Sequence, residues 1–281
     1  MNGPDIIFPN LGIEINNLNP IAFRLFGIEV YWYGIIIALA VFVGLFIAQN
    51  EAKRTNQDPN IYFDFLIYAF VFSVIGARLY YVIFAWNEVD SFFSVRDGGL
   101  AIYGAIIAAV ITLYFYTKIK KLSFFTLADT ACLGLIAGQI IGRWGNFLNR
   151  EAYGGYTESL FAMMLKREEA KSIPVSLLDK TKIIEGIEYI QVQPTFLYES
   201  LWNIGVLMIL IFYRKKKKFE GEIFAYYILG YALGRFWIEG LRTDQLLVAG
   251  TNIPVSQVVA LLSAIAALVF VIIKRRQLKN T

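Results

Sequence analysis

The chain has 281 residues, 57% of them hydrophobic and 17% charged, with a formal net charge of +4. Soluble globular proteins carry nearer ~25% charged residues, so this composition excludes an ordinary water-soluble fold and points to lipid as the solvent. There is no histidine and one cysteine, Cys132, which excludes an intrachain disulfide, a Cys-rich metal or redox motif, Ser-His catalysis and imidazole metal ligands.

Residues 1–20 are polar, rich in Asn and Pro, and lack a basic segment before an apolar core. They do not read as a cleavable signal peptide, and the first span is expected to direct insertion. Apolar stretches of about 20 residues match a hydrocarbon core ~30 Å thick at ~1.5 Å per helical residue. They predict spans at about 31–50, 61–86, 99–117, 124–143, 196–213, 223–242 and 255–273, with the third and fourth joined by a short turn at 118–121. Residues 144–195 differ: Arg150, Glu151, Lys166, Arg167, Glu168, Glu169 and Lys171 interrupt every apolar run. That stretch reads as a water-exposed head inserted between spans four and five, a small α/β cap rather than a separate large domain. The expected fold is therefore an all-α integral membrane protein with about seven transmembrane helices, a single domain over 1–281 with the head at 144–195 within it.

Lysine and arginine placement sets the expected topology. With the N-terminus outside, the inner loops hold Lys53, Arg54, Lys118, Lys120, Lys121, the run at 214–218, and Lys274, Arg275, Arg276 and Lys279. The short outer segments hold only Arg24 and Arg96. The positive-inside rule then favours N-out and C-in, with the head extracytoplasmic. The run at 214–218 reads as a stop-transfer anchor against an anionic leaflet rather than a nucleic-acid patch.

Four arginines fall within the spans: Arg78, Arg143, Arg235 and Arg242. An Arg at the middle of a span costs ~2.5–3.5 kcal/mol on insertion scales, so each needs a partner, a wet cavity or a ligand. Glu239 lies four residues after Arg235 and three before Arg242, which places all three on one helical face. In the N-out topology these arginines lie at the outer level of the membrane, where Tyr33, Tyr103, Gln193 and Glu199 also fall. Arginines outnumber the nearby acids at that level, which favours a bound anion such as a phospholipid headgroup. The alternative is a structural salt-bridge belt.

Three local sequences sharpen this. Gly142-Arg143-Trp144-Gly145-Asn146-Phe147-Leu148-Asn149-Arg150-Glu151-Ala152-Tyr153-Gly154 surrounds an Arg with glycines and asparagines, so that backbone N–H groups can approach an anion. Gln193-Pro194-Thr195-Phe196-Leu197-Tyr198-Glu199-Ser200 starts a helix at a proline and soon carries a glutamate. Gly234-Arg235-Phe236-Trp237-Ile238-Glu239-Gly240-Leu241-Arg242 is the charged face just described.

Together these segments resemble the prolipoprotein diacylglyceryl transferase family of bacterial membranes. Trp32-Tyr33-Gly34, Gly76-Ala77-Arg78-Leu79 and Gly98-Gly99-Leu100 fall in the family's order, so the resemblance spans nearly the whole chain. It implies a catalytic domain in the bacterial cytoplasmic membrane with its site toward the outer leaflet. The implied reaction moves the diacylglyceryl group of phosphatidylglycerol to the lipobox cysteine thiol of a prolipoprotein signal peptide, leaving a thioether and glycerol phosphate. The implied partners are thus phosphatidylglycerol, the lipobox peptide and membrane lipids, with no nucleic acid and no metal or organic cofactor.

By the same resemblance Arg143 and Arg235 match the family's essential arginines, and Tyr33, Asn146 and Gly154 fall on its motif positions. Many members carry His where this chain has Tyr103, and often His where it has Gln193, so a histidine base does not carry over.

The expected chemistry is displacement at a glyceryl carbon with phosphate leaving, which preorganised guanidinium groups stabilise. Arg143 and Arg235 are expected to hold the phosphate. Tyr103 is assigned to the thiol, Asn146 and Tyr33 to the glycerol, and Arg78, Glu199, Glu239 and Arg242 to supporting roles. For Tyr103 an interfacial belt position is the plainer reading. An anion or lipid transporter is the competing function, since intramembrane charge also marks ion paths; a receptor or assembly scaffold is a third. Against transport, the charges gather at one level instead of forming a file.

Overall fold

The computed structural model describes residues 3–84 and 99–280. Arg96, Gly98 and the end of the second expected span lie outside the described residues. The long helices are α1 (Trp32–Arg54), α2 (Asn60–Phe84), α3 (Ile102–Lys120), α4 (Phe124–Leu148), α6 (Thr195–Tyr213), α7 (Glu222–Glu239) and α8 (Val255–Asn280), with the single turn α5 at Val175–Leu178. They coincide with the seven expected spans. Among the described residues six of them are long and apolar enough to cross a membrane. The exception is α7, whose 18 residues include Glu222, Arg235 and Glu239.

The all-α expectation needs correction, because the protein also builds strands. Strands β1 (Ile6–Phe8), β2 (Ile13–Ile15), β5 (Met163–Lys166), β6 (Lys182–Ile184) and β7 (Ile187–Val192) form a sheet in the order β2-β1-β5-β7-β6, antiparallel throughout. The polar N-terminus thus pairs with the head: Ile6 lies opposite Leu165, 159 residues later. A second hairpin, β3 (Ile21–Leu25) with β4 (Ile28–Tyr31), leads directly into α1. Both two-residue hairpin turns use left-handed residues, Phe26 and Gly27 in one and Glu185 and Gly186 in the other, the backbone that matches the twist of paired strands.

Contacts divide the chain into two compact units, residues 1–44 with 135–281, and residues 45–134. In the first, the sheet's inner face packs on the helix ends. Ile6, Phe8, Met163, Leu165, Ile190 and Val192 form one buried cluster with Phe147 of α4 and Phe196 of α6. The Phe147 and Phe196 rings are 4.7 Å apart, and Trp144 meets Phe196 edge-on. This aromatic contact fixes the head on the ends of α4 and α6. Buried ion pairs brace it: Lys166 donates to Asp5 at 2.6 Å, and Arg150 pairs with Glu169 at 3.0 Å while donating to Leu18 O.

In the second unit α2 and α3 pack through small residues. A Cβ on Gly76 or Gly104 would overlap the other's backbone, the close approach that apolar solvent favours between helices. Helix α3 ends at Lys121, whose left-handed backbone turns its N–H back onto Lys118 O, the short turn expected before the fourth span.

Candidate active site

The head end of α4, the first turns of α6 and the last turns of α7 deliver charged side chains to one place. Helix α6 can start at Thr195 because Pro194 needs no N–H partner, and the Thr195 hydroxyl donates to Ala152 O, tying that start to the loop after α4. This puts Glu199 in the second turn, 3% exposed, between two arginines. Arg143 Nη2 lies 2.5 Å from Glu199 Oε1, and Arg235 Nη1 lies 3.6 Å from Oε2. Along α7, Arg235 pairs with Glu239 at 2.6 Å and Arg242 approaches the same carboxylate at 4.0 Å. The shared face read from the spacing of 235, 239 and 242 is present. Arg242 also forks onto Asp244, with bonds of 2.9 and 2.7 Å.

These contacts form an alternating row: Arg143, Glu199, Arg235, Glu239, Arg242, Asp244. Asp244, past the end of α7, adds a third carboxylate to the row beside Glu199 and Glu239. The row is not saturated, however. A guanidinium has five N–H donors, and Arg235 Nη1, although buried, makes no hydrogen bond among the described residues. The side chains of Arg143 and Arg235 are 21% and 18% exposed. Both arginines therefore keep donors for an anion while their carboxylates hold them in place.

Asn146, one turn after Arg143, links this row to a second one. It accepts weakly from Arg143 Nη1 at 3.5 Å and donates to Glu151 Oε1 at 3.1 Å; Asn149 and Lys171 also donate to Glu151. Glu151 sits between Arg150 and Ala152, both with left-handed backbone (φ 51° and 58°). For non-glycine residues that conformation is costly and is found where surrounding contacts impose it. A cavity of about 250 Å³ opens here, lined among others by Asn146, Glu151, Lys171, Arg242 and Asp244. Burial alone would raise Asp244, but Arg242 holds it below the usual carboxylate range. Tyr153 at the cavity wall is pushed up to about 12 by burial, then by Asp244, and stays a neutral phenol.

The remaining expected residues fall as follows. The Tyr33 ring lies against Gly145, where a Cβ would come within 2.8 Å of it. Tyr33 also lines a wider space of about 610 Å³ with Asn149, Arg150 and Lys171. Gly154 forms a β-bridge with Arg242, and its N–H is taken by Gln193 O at 2.9 Å. A Cβ there would stand 2.8 Å from Leu241 O, so its place in the site is a close backbone junction that positions the Arg242 loop. Arg78 and Tyr103 belong to the second unit. There Arg78 is 4% exposed, donates to Gly99 O at 3.1 Å and lies over the Tyr81 ring. Tyr103 is part-buried beside Tyr80.

Glu151, Lys171 and Asp244 had no assigned role in the sequence reading. Asp244 stands two residues past Arg242, a spacing that signals nothing on a helix. Lys171 reaches the site only through the fold of the head.

Apolar helices around a buried row of arginines and carboxylates define an integral membrane protein with a charged site set into its bundle. The sequence model of the prolipoprotein diacylglyceryl transferase family matches residues 20–273, and the chain belongs to that family. It is 44% identical to a phosphatidylglycerol–prolipoprotein diacylglyceryl transferase of Enterococcus faecalis over 266 residues, covering 92% of this chain and 91% of the relative. It is 41% identical to the same-named protein of Listeria welshimeri, covering 94% and 93%, and 38% identical to that of Clostridioides difficile, covering 94% and 98%.

Proposed function

We propose that the protein is a transferase of the bacterial cytoplasmic membrane that moves the diacylglyceryl group of phosphatidylglycerol onto the lipobox cysteine thiol of a prolipoprotein. The observation that carries the chemistry is the pair Arg143 and Arg235, held 2.5 and 3.6 Å from one buried carboxylate with an Arg235 donor unused. A phosphodiester oxygen is the ligand this arrangement suits: guanidinium stays charged and offers paired donors.

The thiolate sulfur attacks the glyceryl C3. The C3–O bond breaks, and its electron pair passes to the phosphate oxygen of the departing glycerol phosphate. Negative charge grows on that phosphate, where the preorganised guanidinium groups of Arg143 and Arg235 stabilise it. The leaving glycerol occupies the polar cavity on the head side, beside Asn146 and Glu151, and Tyr33 lines the wider space beside Asn149 and Lys171. Glu199 and Glu239 keep the arginines in register. The positive field also favours the thiolate form of the incoming cysteine. Placing the head and the site at the outer leaflet, with the N-terminus outside, rests on the Lys and Arg distribution.

Arg143→Ala and Arg235→Ala, reconstituted in vesicles, test this. Transfer should fall at least ~100-fold, the scale for a lost transition-state donor, while both variants still insert. Transfer at the wild-type rate refutes the role. Anion flux through the wild type without lipidation of any thiol would favour a transporter.

A further inference from the structure

One turn beyond the arginine row, away from the head, lies a second polar layer that the reaction described above does not use. Helices α4 and α6 run antiparallel here: Ser200 donates to Ile140 O, next to the Arg143 and Glu199 contact. Gln139 precedes Arg143 by four residues and Asn203 follows Glu199 by four, so each sits about 6 Å farther along its helix, at one level. Helix α7 contributes Tyr227, whose hydroxyl bonds Gln139 Nε2 at 3.0 Å. Asn203 is 1% exposed, and among the described residues neither its Oδ1 nor its Nδ2 has a hydrogen-bond partner; Gln139 Oε1 has none either. Leaving a buried amide unpaired costs about 1–3 kcal/mol, and such groups in folded proteins call for an explanation by water, ion or ligand.

A phospholipid supplies one. Its fatty-acyl ester carbonyls lie on the tail side of its phosphate, separated from it only by the glycerol backbone. With the phosphate at Arg143 and Arg235 and the headgroup toward the head, the esters fall at the level of Gln139 and Asn203. Ester carbonyls accept hydrogen bonds and cannot donate them, and Asn203 Nδ2 is an unused donor. Amide and phenol both donate and accept, so Tyr227 can equally donate to Gln139 Oε1; Gln139 Nε2 then becomes a second donor in the same layer.

We propose that Asn203 and Gln139 form the subsite for the acyl ester carbonyls of the donor lipid and select ester-linked over ether-linked chains. This rests on the phosphate lying at the two arginines, as proposed above.

The test compares phosphatidylglycerol carrying two hexadecanoyl esters with its dihexadecyl ether analogue. Each is presented at equal mole fraction in reconstituted vesicles with a lipobox peptide, and thioether formation is measured. The wild type should turn over the ester roughly tenfold faster, the scale of one or two lost hydrogen bonds. Asn203→Leu, of similar volume, should slow the ester by that factor and leave the ether unchanged, bringing the ratio near one. Gln139→Leu, at a part-buried position, should lower the ratio in the same direction and guards against misfolding at Asn203. Equal turnover of the two lipids by the wild type overturns the subsite while leaving the transfer reaction standing. So does an equal loss on both lipids in Asn203→Leu, the pattern of a layer that holds only water or packs the helices. Absence of thioether from either lipid in the wild type would overturn the transfer reaction itself, and the subsite with it.

Discussion

Glu199 is the hinge of the charged row, and Glu199→Ala is the perturbation with the most to say about it. The wild-type carboxylate is almost fully buried, 2.5 Å from Arg143 and 3.6 Å from Arg235. Its removal leaves two guanidinium groups facing each other with one counter-charge fewer. Breaking a buried pair by deleting one partner costs about 3–5 kcal/mol, because the other charge stays buried. At about 2–4 °C per kcal/mol for a chain of comparable size, the unfolding midpoint should fall by roughly 6–20 °C in a phosphate-free maltoside detergent.

The informative step is then to titrate phosphatidylglycerol. Its phosphate supplies the anion that Glu199 no longer provides, so lipid should raise the variant's midpoint more than the wild type's. A ligand that binds only the folded state stabilises it by RT ln(1 + [L]/Kd), and here the variant has more to gain. The assay is thermal unfolding followed by tryptophan fluorescence across a lipid series. An unchanged midpoint in detergent, or equal lipid stabilisation of both proteins, would refute a site in which carboxylate and phosphate share the same arginines.

Other positions give independent checks. Gly154→Ala places a methyl 2.8 Å from Leu241 O and 2.9 Å from Gln193 Cβ; it should destabilise by about 1–3 kcal/mol through overpacking and lower transfer by shifting the Arg242 loop, and a wild-type midpoint with full transfer would remove that role. Tyr103→Phe tests the hydroxyl directly: loss of transfer with normal insertion is expected of a group that handles the thiol, and retained activity excludes it as a required base. In the head, burial alone would raise Asp5, but Lys166 and the Leu18 amide hold it below its ordinary 3.8. The native state then binds fewer protons than the unfolded chain near that pH, so this contribution is complete above pH 3.8 and fades as pH falls through the lower folded value. Hydrogen exchange at β1 and β5 should stay slow down to about that pH and quicken below it, and Asp5→Asn should abolish the change; an unchanged profile in the variant would exclude Asp5 as its origin.

The helices were readable because lipid-facing runs leave long apolar stretches, and the face holding Arg235, Glu239 and Arg242 because helical spacing alone puts those residues together. Arg143 was readable from its insertion cost and its glycine-rich surroundings. The sheet was not. Residues 6–8 and 13–15 are too short to declare themselves as strands, and their partners at 163–166 lie across four helices of sequence. Asp244 and Lys171 were not legible for a related reason: Asp244 pairs with Arg242 around the end of α7, and Glu151 meets Lys171 only once the head has folded. Asn203 and Gln139 look like ordinary span residues until their missing hydrogen bonds are seen in three dimensions.

Purified protein, phosphatidylglycerol vesicles and a lipobox peptide, followed by mass spectrometry, test most directly whether this arginine site makes a thioether between lipid and cysteine. The expected product is a peptide heavier by one diacylglyceryl group on its cysteine, with glycerol phosphate released in equal amount and neither product formed by Arg143→Ala. An unmodified peptide with intact, inserted wild-type protein would contradict it.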